Sequence, residues 1–490
     1  MLIPAPEDTP LHVRVRRTVE NLIASSVWPA GFRIPSSRQL AEIFNVSRTT
    51  VQTAYDALLD DGFLTSRPRS GFFVNEDIRP IEFAPAPRHG RLGSRESTVD
   101  WVQSARSPAS ELPELTREAE WWSYEYPFVT GQHDPEYFPT AAWLRALKSS
   151  LSTDVHRHAS LDDVMADDPL LLETVCSEIL PSRGIFAEPD NVLITLGSQQ
   201  GLQLIAESLL HSGDSVLVEN PGYIDARHVF ARAGANVRDL EVDSEGAIPQ
   251  ASYSHAKLAY LTPSHQHPTN VTLTANRRLA FIDDASRHNF IIVEDDYDSE
   301  LRYRGRPSPA MTALDSSGRT IYLGTMSKVL APGLRIGFLV GHKDLIAILR
   351  KTRRYQHRQP PGQIQRAVAL LYQSGDFRTS LQLYRRALAK RWQLAVDGVT
   401  DRFAEEQNLP PGGTGLWLRA PEGVDTRRMR MNAKNHGILF DSGEKYFSGP
   451  NRPHNFLRIG FASIPSNKIK PGLDLLATLL PVYWHQQQNH

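Results

Sequence analysis

Six short apolar runs, NVLITLG, SVLVEN, AKLAYLTP, FIIVEDDY, TIYLGTMS and RIGFLVG, recur between residues 191 and 341 with helical stretches between them. Runs this short and this continuously apolar suit strands covered on both faces. Strand-then-helix order, repeated so often, restricts the body to an α/β fold on a mostly parallel sheet. Open sheets of that kind bind ligands beyond the carboxyl ends of their strands. The polar residues that follow each run are therefore the ones to weigh.

The 490 residues exceed what one compact domain holds. Lys+Arg is 54 and Asp+Glu is 55, which excludes a general polycationic coat but leaves room for a local basic face. The single cysteine, Cys176, excludes an intrachain disulfide framework and a Cys-rich metal site. No apolar run approaches the ~18–20 residues of a membrane span. The start, MLIPAPEDTPLHVRVRR, lacks the apolar segment of a secretion signal. A cytoplasmic protein with no membrane partner and no metal is expected.

Residues 1–75 read as a small module. Val15, Val19, Leu22 and Ile23 recur at helical spacing, and Trp28, Pro29, Ala30 and Gly31 break that helix. Ser36 and Gln39 form a capping-box pattern for a second helix whose buried face is Leu40, Ile43 and Phe44. Ser47 caps a third, with Val51, Ala54, Tyr55 and Leu58 on one stripe and Gly62 ending it. FLTSRPRSGFFV then reads as two short strands around a turn. A helix pair with a ribbon fits either a winged helix-turn-helix or a protein-docking module. In the first case Ser47, Arg48, Thr49 and Thr50 enter the major groove, flanked by Arg33, Arg38, Arg67 and Arg69. Eight arginines stand against seven acids in this stretch, so binding would rest on where the arginines lie.

The wording GFRIPSSRQLAEIFNVSRTTVQTAYDALLDDGFLTSRPRSGFFV closely resembles the DNA-binding domain of GntR-type bacterial regulators. That likeness implies that the helix opening at Ser47 reads operator DNA and that the wing around Arg69 to Gly71 meets the minor groove or backbone. Residues 76–120, carrying Pro80, Pro85, Pro87, Gly90, Gly93 and Pro108 without periodicity, read as a flexible linker. Residues 121–485 form the α/β body.

In the body, VLITLGSQQGLQLIAESLL is a strand, a turn and a helix whose Ser198, Gln199 and first amides suit a phosphate, a weak signal alone. FIIVEDDYDSE ends a strand in Glu294, Asp295, Asp296, Tyr297 and Asp298, which fits a magnesium site or a solvated turn. YLGTMSKVLAPGLRIGFLV sets Lys328 after a strand, with Arg335 downstream. A lone lysine is usually a surface charge. This one, among only ten, lies between apolar strands, where desolvation favours Schiff-base chemistry.

Together these elements resemble the fold-type I, aspartate-aminotransferase-like domain that binds pyridoxal 5′-phosphate (PLP), with its large and small subdomains. The resemblance implies that Lys328 forms the internal aldimine and that Asp295 pairs with the pyridine nitrogen. It gives Tyr297 to the ring hydroxyl and Tyr223, in ENPGY, to ring stacking. Ser198, Gln199, Thr325, Ser327 and Arg335 hold the phosphate, and Arg458, in FLRIGFA, grips the effector's carboxylate. His265 and His267, in TPSHQHPTN, lack a third ligand for a metal pair. His267 stands where many aminotransferases have an asparagine, and Asn270 where they have a glycine; both departures count against efficient transamination.

A GntR-type head on an aminotransferase-like body, with TPSHQHPT, EDDYDSELRY and GTMSKVLAPGLRIG phrased as they are, is similar to the MocR/GabR group of bacterial transcription regulators. The group implies a head-to-tail, domain-swapped homodimer on double-stranded operator DNA. An amino-compound effector would form an external aldimine on PLP and alter operator binding or promoter activity, with sensing in place of turnover. A PLP-sensing regulator of vitamin B6 synthesis and a working aminotransferase with a regulatory head are the alternatives. GABA-responsive members carry an arginine where Asp225 stands, and Asp225 would repel a carboxylate. The effector is therefore expected to differ from GABA in size or charge, the candidates being a sulfonate such as taurine, an ectoine-derived diamino acid or another diamine-bearing acid.

Overall fold

The computed structural model describes residues 9–68, 70–77, 99–104, 118–152, 166–253, 255–303, 308–326, 328, 330–403, 407, 409 and 412–487. The chain divides into two compact units, Met1–Arg106 and Ser107–His490. Among the described residues no helix is long and apolar enough to cross a membrane.

The first unit holds three helices, α1 (Leu11–Ala24), α2 (Ser37–Phe44) and α3 (Arg48–Asp60), and the strands β1 (Leu64–Arg67) and β2 (Gly71–Val74). Its caps are those the sequence signals. Ser36 and Gln39 bond reciprocally at the start of α2, and Ser47 Oγ accepts from the Thr50 amide 3.0 Å away. Asn45 turns the chain between α2 and α3 at φ +52°, a left-handed conformation that asparagine tolerates. Val15, Val19, Val51, Ala54 and Leu58 are fully buried together, and β1 pairs antiparallel with β2 to close the core. One expectation fails. Ile43 is 62% exposed, and Ala41 is buried in its stead. The eight-residue α2 presents little more than one turn to its neighbours, and Leu40 and Ala41 supply it.

In the second unit an eight-stranded sheet runs β4 (Val192–Thr195), β11 (Gly337–Val340), β10 (Thr320–Thr325), β9 (Ile291–Asp295), β8 (Ala256–Leu261), β5 (Ser215–Asn220), β6 (Asn236–Asp243) and β7 (Gly246–Ala247). All six expected runs become strands. β10, β9, β8, β5 and β6 pair in parallel, whereas β11 is antiparallel to both β10 and β4. The carboxyl ends of β4, β10, β9, β8 and β5 consequently face the same way. Both faces are covered: Leu202, Ile205, Phe230 and Leu349 pack on one, and Phe281, Ile282 and Phe290 on the other. A second sheet sets β15 (Phe456–Gly460) between β12 (Gly415–Arg419) and β14 (Asp441–Ser442), and β3 (Tyr126–Pro127) pairs with β13 (Ile438–Leu439).

Behind β4, Asp167 accepts from Arg350 at 2.7 Å and Arg353 at 2.6 Å, and also from the Ile194 amide at 3.3 Å. Arg353 is fully buried, so removing its acid would strand a guanidinium charge in the core. Asp167→Ala is expected to destabilise the body by about 3–5 kcal/mol. Denaturant midpoints compared with wild type at equal slope check this.

Candidate cofactor pocket and nucleic-acid interface

In the first unit Ser47, Arg48 and Thr49 stand exposed at the amino end of α3, with Thr50 half-buried behind them. Ser47 Oγ lies 2.7 Å from Thr50 Oγ1, so these two hydroxyls brace the first turn while Arg48 and Thr49 extend outward. Arg38 is 82% exposed on α2. Gly71 opens β2 at φ +103°, and Arg33 packs beside it. Arg69 lies outside the described residues. The ribbon's Arg67 donates to Glu76 at 2.9 Å and lies over Phe73, 4.5 Å from the ring centroid. An exposed helix amino end flanked by guanidinium groups and a ribbon is the surface that phosphates and base edges require.

In the second unit the strand ends converge on a cavity lined by Ser198, Tyr223, Asp295, Tyr297, Lys328 and Arg458, among others. Two residues beyond β4 stands Gly197, φ +77°, and the helix Ser198–Leu209 begins there with its first amides unpaired by the helix. A Cβ at position 197 would stand 3.1 Å from the Arg335 guanidinium, so glycine makes room for that cation at the helix end. Arg335 Nη2 donates to Leu196 O at 3.2 Å. Helix amides, the Ser198 side chain and one guanidinium are the groups that an anion cradle requires; Ser198 lines the cavity, whereas Gln199 and Arg335 are not part of its lining. Thr325 ends β10 half-buried, its hydroxyl 3.3 Å from Ile336 O, and is not part of the cavity lining. Ser327 lies outside the described residues.

Asp295 is the last residue of β9 and 3% exposed. Its Oδ2 accepts from the Tyr260 hydroxyl at 2.7 Å, while Oδ1 is buried without a hydrogen-bond partner. Burial pushes its pKa from 3.8 to about 7; Asp296 and Asp298 add to the rise, and the Tyr260 bond and Lys328 oppose it. The Tyr297 hydroxyl is likewise buried and unpartnered. Lys328, half-buried, is on the same wall. The Tyr223 hydroxyl has one proton for two acceptors, Gln199 Oε1 and Asp225 Oδ2, each 3.1 Å away.

Opposite stands β15. Arg458, 3% exposed, donates from Nη1 to His267 Nε2 at 2.8 Å and from Nη2 to Asn270 Oδ1 at 3.5 Å, the outer limit of a bond. Asn270 keeps a left-handed φ of +63°, the backbone that the glycine it replaces would supply, and its amide donates to Gly415 O. Lys445 and Asp441 pair at 3.0 Å, and Thr130 donates to Asp441 at 2.6 Å. Glu118 pairs with Arg430 and Lys434.

The acids after β9 form neither a solvated turn nor a metal cluster. Glu294 accepts from the Met311 and Thr312 amides, Asp296 from Arg183 and Tyr322, and Asp298 from His265 at 2.9 Å. Among the described residues no group of His, Cys, Asp and Glu is placed to hold a metal. Sequence reading passed over Tyr260, Asp441, Lys445 and Glu118. Tyr260 alone left a signal, a hydroxyl at the end of an otherwise apolar run.

The donor set fits PLP. The cradle at Ser198 and Arg335 suits its phosphate, the unmet oxygen of Asp295 suits a protonated ring nitrogen, and Lys328 suits its aldehyde. A buried carboxylate that waits for a cation leaves a thermodynamic trace. With a folded pKa near 7 against 3.8 unfolded, Asp295 makes the cofactor-free protein lose stability as pH rises from about 4 to about 7. Asp295→Asn should therefore raise the melting temperature of cofactor-free protein relative to wild type more at pH 8 than at pH 4. Thermal scans of both proteins at the two pH values check it. The same variant should bind PLP more weakly.

Residues 11–74 match the family of bacterial regulatory proteins called gntR, and residues 146–476 match aminotransferase class I and II. The chain is 36% identical to the HTH-type transcriptional regulator TauR of Rhodobacter capsulatus, over 96% of each protein. It is 30% identical to the probable rhizopine catabolism regulatory protein MocR of Rhizobium meliloti, over 97% of this chain and 95% of that protein. The crystal structure of Pyrococcus horikoshii kynurenine aminotransferase superposes with a TM-score of 0.70 at 28% identity, covering 79% of this chain and 99% of that one. The chain belongs to the MocR/TauR-type transcriptional regulators, in which a DNA-binding GntR winged helix-turn-helix is joined to a PLP-binding aminotransferase class I and II body.

Proposed function

We propose that the body is a receptor for a small amine that also carries an acid, and that its occupancy alters how the heads engage operator DNA. One observation carries the reading: a single cavity gathers Lys328, Asp295, Tyr297, Tyr223 and Arg458, with polar atoms of Asp295 and Tyr297 buried and unmet. When bound, PLP would supply an electrophilic carbon for amines, held next to Lys328, and a protonated ring that withdraws electrons. Asp295 holds the proton on the ring nitrogen, Tyr297 donates to the ring oxygen, and Tyr223 stacks on the ring. Ser198, Gln199, Thr325, Ser327 and Arg335 hold the phosphate. Arg458, buried with neutral partners only among its hydrogen bonds, grips the acid of the effector.

Asp225 lines the same cavity and disfavours a ligand that presents a second carboxylate to that wall. The effector thereby biases one arrangement of the bodies, and its differential binding energy is all the switch requires. We take the protein to be a head-to-tail homodimer, with residues 76–120 as the linker that transmits the change.

On the DNA side, Arg38, Ser47, Arg48, Thr49, Thr50, Arg69 and Gly71 form the contact surface of residues 1–75. Arg48→Ala should weaken operator binding by about 1–3 kcal/mol in a mobility shift at fixed salt. Lys328→Ala should leave operator binding intact and abolish its response to effector. A response that survives without bound PLP overturns the sensing reading. Multiple turnovers of a keto product would favour the aminotransferase reading, and a response to PLP alone the vitamin-sensing one.

A further inference from the structure

The turn after β9 borders two cavities. Asp298 and Leu301 line the one described above, whereas Ser299, Glu300 and Arg302 line a second that shares no lining residue with the first. At about 450 Å³ the second has room for a compound of amino-acid size. Four arginines line it, Arg183, Arg302, Arg378 and Arg385. Arg183 donates to Asp296 at 2.7 Å and Arg378 to Glu178 at 2.8 Å, which settles two of the four charges. Arg385 donates from Nε to the Glu300 carbonyl oxygen at 2.6 Å, so its two terminal nitrogens are the part that remains for a ligand. Burial lowers the pKa of Arg385 and of Arg302, and the charge of Arg183 adds to the fall at Arg302. Two guanidinium groups that lose water on one wall call for an oxyanion. The Glu300 carboxyl makes the opposite demand. The buried Tyr372 hydroxyl donates to its Oε1 over a long 3.4 Å, and Oε2 is buried with no hydrogen-bond partner. Burial raises the Glu300 pKa from 4.5 to about 7, the sign of a carboxylate short of donors.

We propose that this second cavity binds a small zwitterion of the amino-acid class, its acid held by Arg385 and Arg302 and its N–H donor taken by Glu300 Oε2. A bare anion would leave the glutamate unmet, and a bare cation would face the two guanidinium groups. A molecule that carries both charges a few atoms apart satisfies the whole wall. No lysine is among the lining residues, so the ligand is held by hydrogen bonds and charge alone and needs no cofactor. Neither Lys328 nor Arg458 takes part, and the site stands or falls independently of the receptor role given to the first cavity.

The test uses full-length, PLP-loaded protein and sarcosine, a secondary amine that keeps its N–H donors and carboxylate but forms no neutral imine with PLP. Calorimetry is done at pH 8, where the Glu300 carboxyl is ionised. In Arg458→Met, which removes the arginine of the first cavity, sarcosine should still bind at one site per chain. Acetate and glycine betaine, which offer the acid without an N–H donor, should bind about ten-fold more weakly or worse. Adding Glu300→Gln should cost sarcosine about ten-fold and leave acetate no weaker, and adding Arg385→Met should abolish the binding of both. Wild type supplies a check that no variant's folding can confuse: sarcosine should protect Arg385 or Arg302 from phenylglyoxal, as mapped by peptide mass. No sarcosine binding in Arg458→Met together with no protection in wild type overturns the site. Equal affinity for sarcosine and acetate overturns the role of Glu300 and with it the zwitterion.

Discussion

Ionic groups taken out of water at the carboxyl end of β9 set the terms for everything around them. Side chains along a strand alternate between faces, so Glu294 and Asp296 point one way and Asp295 the other. The first two meet internal donors, Arg278 and Thr312 for Glu294 and Arg183 and Tyr322 for Asp296, and stitch β9 to the elements behind it. Asp295 meets a single phenol. Burying a carboxylate with so little compensation costs several kcal/mol, and the fold bears that cost at the one acid of these three that lines the cavity. Compensated on one face and wanting on the other, the strand separates scaffold from receptor within three consecutive residues.

The loop from Thr262 to Asn270 joins the two sheets. It is anchored on the β5 side by the buried carboxyl of Glu219, which accepts from Thr262 and Gln266. On the far side Asn270 reaches Gly415 on β12, and His267 and Asn270 meet Arg458 on β15. Neither sheet can move against the other without disturbing these bonds. Coupling between the two walls is therefore a matter of a few named hydrogen bonds, with no need for a long pathway.

Much of this was legible in the residues alone. The six strands were, because their positions are buried on both faces and apolarity is then continuous. β6 was not: Arg238, Asp239 and Glu241 interrupt NVRDLEVD, since the strand has only the two-residue β7 beyond it and much of its surface is exposed. The caps of α2 and α3 were readable because capping is a local bargain between neighbours in sequence. Ile43 was misread because a short helix does not say which of its sides will find a partner. In the site, Lys328 stood out as a lysine between apolar strands, whereas the roles of Asp295 and Arg458 came from the likeness of their motifs to the aminotransferase-like domain. Asp441 and Glu118 did not, because their roles come from partners distant in sequence, Thr130 for Asp441 and Arg430 for Glu118.

Lys328 follows a strand of the eight-stranded sheet, whereas the cavity's buried arginine belongs to the three-stranded one. A molecule that touches both must bridge the gap between two independently hydrogen-bonded layers. Such a cavity works as a gauge of length as well as of charge. A compound whose amine and acid stand too close together leans on one wall only; one that is too long buckles. If the body is the receptor we propose, its ligand is picked out by span, much as a key is read by the depth of its cuts.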